Sequence, residues 1–91
     1  MFVFVPNAFT PDGNNLNEKF KAVASGVRFM RLYIYNQWGE LVYDSGQDSE
    51  NGWNGECKGR PAPSGIYIYK LQIEGYQGEE RSLNGTIHLI R

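Results

Sequence analysis

The chain has 91 residues, room for one domain with a modest core. Nine Lys and Arg against ten Asp and Glu leave a net charge of −1, with one His, which excludes the basic footprint of a general nucleic-acid binder. No apolar run approaches the roughly 18–20 residues of a membrane-spanning helix, and five Phe, six Tyr and two Trp are too many for a disordered tail.

Eleven glycines set the secondary-structure class. Only 14–25 and 27–38 run twelve residues free of Gly and Pro, so helices of ordinary length hardly fit. The first apolar run, Phe2-Val3-Phe4-Val5, is strand-sized, and no positively charged segment precedes it, so it does not read as a signal peptide. Met1 stands directly against that run, and the expectation is of a single domain, 1–91, cut from a longer protein.

Next comes a polar loop, Thr10-Pro11-Asp12-Gly13-Asn14-Asn15-Leu16-Asn17-Glu18. Asp12, Asn14 and Glu18 offer calcium-type oxygen ligands near a glycine, but the full spacing of a calcium loop is absent. Asn, Asp and Gly also dominate turns for backbone reasons alone, so no metal or other cofactor is expected. Leu16, Phe20 and Val23 permit a turn or two of helix within Asn15–Ala24; the competing pattern predicts a strand over 19–23.

From there the chain alternates with period two. Strands are predicted over 29–36, 40–45, 65–74 and 80–90, after those at 2–5 and 19–23. Asn36-Gln37-Trp38-Gly39 closes one hairpin, with Gly39 free to take positive φ, and Gly75-Tyr76-Gln77-Gly78 closes another. In 66–73, Tyr67, Tyr69, Leu71 and Ile73 share one face, and Ile66, Ile68, Lys70 and Gln72 the other. A long loop is expected over 46–64. The predicted fold is all-β, a sandwich of short antiparallel strands.

Catalytic readings find little to stand on. Cys57 is a lone thiol in a loop sequence, too little for zinc and without a motif for nucleophilic attack. Asp44, Asp48 and Glu50, and Glu74, Glu79 and Glu80, sit where solvated charge is expected rather than as a desolvated pair. His88 alternates with Ile87 and Leu89 and therefore points away from their face. The chain is not expected to be an enzyme. Trp38 and Trp53 are expected to fold back over the core; the alternative is an exposed sugar platform made with the tyrosines of 65–74, in a carbohydrate-binding or adhesive surface module.

Five pieces in order carry a resemblance: Pro6-Asn7-Ala8-Phe9-Thr10-Pro11-Asp12-Gly13, Tyr35-Asn36-Gln37-Trp38-Gly39, Gly52-Trp53-Asn54-Gly55, Pro63-Ser64-Gly65-Ile66-Tyr67, and Leu83-Asn84-Gly85-Thr86-Ile87 running on to Ile90-Arg91. Together they resemble the gliding-motility-associated C-terminal domain, the type B sorting domain of the type IX secretion system, over Val5 to Arg91. In one departure, the first loop has less acid and glycine than the family's usual run, which further disfavours a metal. The resemblance implies an immunoglobulin-like sandwich of about seven strands at the C-terminus of a secreted or cell-surface protein. It implies transit through the periplasm, cargo domains attached on the N-terminal side, and recognition by outer-membrane components of the secretion machinery.

Most motif residues have an architectural reading: Gly39, Gly55, Gly65 and Gly85 for backbone geometry, and Phe9, Trp38, Trp53 and Tyr67 for the core. Pro6, Pro11, Pro61 and Pro63 are expected to limit edge pairing and stiffen loops. Three surfaces could be recognised: an edge strand, the rim formed by loops 6–13 and 52–65, and the final strand with its carboxylate. The expected contact set combines the final strand with loop tips: Pro6, Asn7, Pro11, Asp12, Pro63, Ser64, His88, Ile90 and Arg91.

Overall fold

Alternation of apolar and polar residues does produce strands along almost the whole chain. The computed structural model describes residues 2–10, 19–46 and 52–90. It contains, in order, β1 (Phe2–Phe4), β2 (Ala8–Phe9), β3 (Val23–Ser25), β4 (Val27–Tyr35), β5 (Leu41–Asp44), β6 (Glu56–Cys57), β7 (Arg60–Pro61), β8 (Gly65–Gly75) and β9 (Glu80–Leu89). Among the described residues there is no helix; residues 15–18 of the candidate helical turn lie outside them.

The three long strands β4, β8 and β9 form the body of a five-stranded sheet ordered β2-β9-β8-β4-β5. β8 pairs antiparallel with β9 from Gly65↔Leu89 to Glu74↔Glu80 and with β4 from Tyr35↔Ile68 to Val27↔Gly75. Because side chains alternate across a strand, these registers bring Leu32, Ile34, Tyr67, Leu71, Ile73, Ile87 and Leu89 to one face, and all are buried. A thinner second layer covers that face: the β1–β3 ribbon, the chain around Phe20 and Trp53, and the β6–β7 hairpin. The all-β architecture expected from the sequence is thus present, with its strands cut into shorter pieces. One pairing departs from the antiparallel expectation: β2 lies parallel to β9 through Ala8↔His88 and Phe9↔Leu89.

Two elements lie elsewhere than the sequence predicted. The strand expected at 19–23 is reduced to one bridge, Phe20↔Trp53, with regular pairing resuming at Val23–Ser25. Phe20 and Trp53 exchange both backbone hydrogen bonds, each 2.7 Å, but Gly52 turns left-handed at φ +71° and ends the ladder. A Cβ at Gly52 would stand 2.9 Å from the Phe20 carbonyl oxygen, so the close approach needs glycine. The second difference is the loop 46–64, which contains the β6–β7 hairpin. Lys58 and Gly59 both take positive φ, 54° and 79°, the signature of a two-residue type I′ turn. With two residues per strand, it leaves no alternation to detect.

The core is aromatic at its centre. Trp53, 1 % exposed, lies 5.4 Å from Phe9 and 5.1 Å from Tyr67, ring centre to ring centre. Phe20 stands 5.8 Å from Phe9 and 6.2 Å from Tyr69. The indole N–H is not wasted: it donates to the Glu56 carbonyl at 2.9 Å, as a buried Trp requires. Truncating Trp53 to Ala is therefore expected to cost about 3–5 kcal/mol, a large part of the roughly 5–15 kcal/mol that holds a small domain. Urea denaturation of Trp53→Ala should show most of the folding transition lost at ambient temperature.

Candidate functional site

The sheet has two ends, and the registers sort the motif pieces between them. Tyr35↔Ile68, Gly65↔Leu89 and Ala8↔His88 place the hairpin 36–40, the Pro63-Ser64 turn, the short β2 and the exit of β9 at one end. At that end Asn36 builds the hairpin. Its side-chain oxygen accepts the N–H of Trp38 at 3.0 Å and of Glu40 at 2.9 Å. Its backbone N–H donates to the Glu40 carbonyl at 2.9 Å, and its carbonyl accepts from Gly39 N–H at 3.0 Å. One Asn thus ties down the whole turn, an Asx arrangement.

That rigid turn holds Trp38 out into solvent, 74 % exposed. This corrects the expectation that both indoles cover the core: Trp53 does, Trp38 does not. The reason is position. Inward-facing residues of β4 end at Ile34, and Trp38 lies in the turn beyond Tyr35, the strand's last residue.

The outer face of the sheet divides along its length. Near the Trp38 end the paired rows are Leu41–Tyr35–Ile68–Thr86 and Ile66–His88–Ala8, with Leu41, Ile66, Ile68 and Ile90 exposed. Toward the other end the rows turn polar: Asp44–Tyr33–Lys70–Asn84 and Arg31–Gln72–Ser82. Arg31 grips Asp44 with two nitrogens at 2.9 and 2.7 Å and lies 5.0 Å over the Tyr33 ring. The Asp44 carboxyl is held below the usual carboxylate range, first by that Arg31 hydrogen bond and then by Gly46 N–H. Arg28 pairs with Glu74 at 2.8 Å. A shallow groove at this end, lined by Phe29, Gln72, Glu74, Glu80, Arg81 and Ser82, carries none of the five motif pieces.

The expected contact residues fall as follows. Asn7, Pro63, Ser64, His88 and Ile90 are exposed and Pro6 is half-buried; all belong to the Trp38 end. His88 N–H donates to the Asn7 carbonyl at 2.8 Å, and Tyr67 O–H donates to the Pro63 carbonyl at 2.7 Å. Pro11, Asp12 and Arg91, with Asn14 and Glu18 of the calcium reading, lie outside the described residues. Among the described residues no cluster of three metal-ligating side chains occurs. Phe9, Trp53 and Tyr67 are buried as the architectural reading expects. Gly39, Gly55 and Gly65 take positive φ of 84°, 83° and 150°. Gly85 has a different reason: a Cβ there would meet the Tyr69 ring at 2.8 Å, and that ring is itself packed on Phe20.

The sugar platform of Trp38, Trp53 and the β8 tyrosines is not formed. Trp53 is buried, Tyr67 and Tyr69 turn inward, opposite Ile87 and Gly85, and the exposed Trp38 and Tyr76 occupy opposite ends of the sheet. The exposed Leu41, Ile66 and Ile68 were missing from the expected contact set. Their signal was available: Ile66 and Ile68 are aliphatic on the strand face opposite to Tyr67, Leu71 and Ile73.

Comparison with known proteins adds three findings. A family model described as CHU_C type IX secretion signal domain matches residues 3–89. Among solved structures, CopC from Methylosinus trichosporium OB3b superposes with a TM-score of 0.59 at 11 % identity, over 98 % of this chain and 89 % of that one. PorZ, an essential bacterial surface component of the type-IX secretion system of Porphyromonas gingivalis, superposes with a TM-score of 0.53 at 20 % identity. That match covers 99 % of this chain and 11 % of PorZ. These structural likenesses show the fold alone. No curated protein matches the sequence.

Two outcomes follow from this geometry. Gly85→Ala is expected to destabilise by about 1–3 kcal/mol, read as a lower urea midpoint, because the packed Tyr69 ring has to move. Asp44, depressed in the folded state, contributes stability that is present above the ordinary carboxylate pKa of about 4 and lost as pH falls through its lower folded value. Asp44→Asn should therefore flatten the acid side of the Tm-versus-pH curve and leave its neutral-to-alkaline shape unchanged.

Proposed function

The chain belongs to the type IX secretion signal domain family, and we propose that it engages an outer-membrane protein of the secretion machinery through the Trp38 end of its sheet. As a signal of that system it sorts attached cargo, and it marks its parent as a secreted or cell-surface protein. The carrying observation is the rigid, Asn36-built turn that exposes Trp38 at the same end of the sheet as the exposed Leu41, Ile66, Ile68 and Ile90. An exposed indole on a preorganised turn loses little entropy on binding, and buried Trp anchors dominate interface energetics.

In this reading the cargo crosses the inner membrane by its own N-terminal signal and is recognised from the periplasm, with the domain on the cargo's C-terminal side. Pro6, Asn7, Pro63, Ser64, His88 and Ile90, across the same end of the sheet from the anchor, set its register on the partner. Three of the described carboxylates serve structure: Asp44 and Glu74 hold arginines, and Glu79 accepts the Gln77 N–H at 2.9 Å. No helix among the described residues is long and apolar enough to cross a membrane, and recognition here is between proteins.

The test fuses the 91-residue chain to the C-terminus of a fluorescent reporter with a periplasmic signal, in a host with an intact type IX system. Trp38→Ala is expected to keep the wild-type Tm and to lower extracellular reporter by tenfold or more, the effect of a contact of about 1.4 kcal/mol or stronger. Tyr76→Ala, at the other end, should export normally. Unchanged export of Trp38→Ala would contradict this surface assignment.

A further inference from the structure

β1 and β2 belong to one run of chain that changes layers. β1 pairs with β3 in the covering layer through Phe2↔Ser25, Val3↔Ala24 and Phe4↔Val23. β2 pairs with β9 in the main sheet, only at Ala8↔His88 and Phe9↔Leu89. Between them stands Pro6, which has no N–H to give to either ladder. Among the described residues, the switch leaves β9 with a neighbour on its second side only near its last residues. From Glu80 to Ile87, no described strand pairs there.

Alternation fixes which groups point to that open side. His88 N–H donates to Asn7 and Ile90 N–H to Phe9, at 2.8 and 3.0 Å, so even-numbered residues of β9 direct their polar backbone away from β8. The β8–β9 register runs from Glu80 to Leu89 without a slip. Ser82, Asn84 and Thr86 therefore also present N–H and C=O outward.

Sheet edges are ordinarily blunted by short strands, bulges, Pro or charge. The opposite edge obeys: β5 has four residues, a register shift at Ile34/Tyr35, and Asp44 bound to Arg31. β9 does not. Ten residues long, it carries no Pro, no Lys and no bulge, and after Glu80 and Arg81 the run Ser82-Leu83-Asn84-Gly85-Thr86 is uncharged. The motif Leu83-Asn84-Gly85-Thr86-Ile87 lies on this edge. Gly85 is explained by Tyr69, and Ile87 by burial; Asn84 and Thr86 are exposed, so what this part of the edge offers a partner is its backbone.

We infer that the open edge of β9 over Ser82–Thr86 accepts an extended segment of the secretion partner as an added strand. This rests on the sorting function and gives it a second contact, made by backbone instead of an aromatic anchor. Main-chain hydrogen bonds supply the affinity in such strand addition, and alternate side chains the selectivity. The segment that fits is uncharged and alternating, with apolar residues toward the half-buried Leu83 and polar ones toward Ser82, Asn84 and Thr86. It continues in the main sheet the line that β2 begins.

Proline tests the edge without touching the β8 ladder, because the N–H removed at position 84 faces outward. In the reporter fusion, Asn84→Pro is expected to keep the wild-type CD spectrum and to lower export at least tenfold, while Asn84→Ala stays within twofold of wild type. Export of a folded Asn84→Pro at the wild-type level overturns the inference. So does an equal loss in Asn84→Ala, which would mean that the side chain is read. If Asn84→Pro does not fold, Ser82→Pro replaces it, with Ser82→Ala as control and the same readings. Amide exchange on the wild-type chain needs no variant: Ser82, Asn84 and Thr86 should exchange fast while Leu83 and Gly85 are protected. Protection of all five would show the edge already covered and overturn the inference. A wild-type fusion that is not exported defeats the sorting function itself and the edge inference with it; loss in Trp38→Ala alone defeats only the edge.

Discussion

Everything in this domain depends on a seat for one indole. A five-stranded sheet offers a single broad apolar face, and the other described strands, two or three residues long, pair only in twos. Trp53 solves the shortage by filling the space between the sheet and a layer made of fragments. It is held by two 2.7 Å backbone bonds to Phe20, by its own N–H on the Glu56 carbonyl, and by ring contacts to Phe9 and Tyr67. Gly52 permits the backbone approach. Two motif pieces that read as separate punctuation in the sequence, around Phe9 and around Trp53, thus meet in one cluster.

With the core closed from inside, the outer face and the loops are free to be displayed. The apolar end carries Trp38 and the exposed aliphatics, and the polar end carries the Arg31–Asp44 and Arg28–Glu74 pairs. Charge excludes association from one half of the face and leaves the other half available. The layer switch at Pro6 has a related consequence, since the strand that covers the core in one layer is missing from the edge of the other.

The sequence made the long strands legible because each alternates over most of its length: β4, β8 and β9 lie within two residues of their predicted limits. It hid what depends on single residues. The β6–β7 hairpin turns on Lys58, a non-glycine residue at φ 54°, and the pairing of Phe20 stops at one left-handed glycine. The inward turn of Tyr67 and Tyr69 followed from their shared parity with Leu71 and Ile73. The outward turn of Trp38 did not follow from composition, because Asn-Gln-Trp-Gly and Gly-Trp-Asn-Gly look alike as glycine-flanked indoles. Only the strand that ends before one of them, and the partner that meets the other, separates the two roles. The five motif pieces were legible as a family signature, while the placement of residues 36–39, Pro63-Ser64 and residues 7–9 at one end required the registers.

On the proposed function, this folded chain suffices as a sorting signal read at its surface. The most direct measurement is the amount of reporter found outside cells when the wild-type 91-residue chain is its C-terminal fusion, compared between a host with an intact type IX system and the same host with that system disrupted. The account predicts extracellular reporter in the first and periplasmic reporter in the second. Equal distribution in the two hosts, with the fused domain folded, would contradict it.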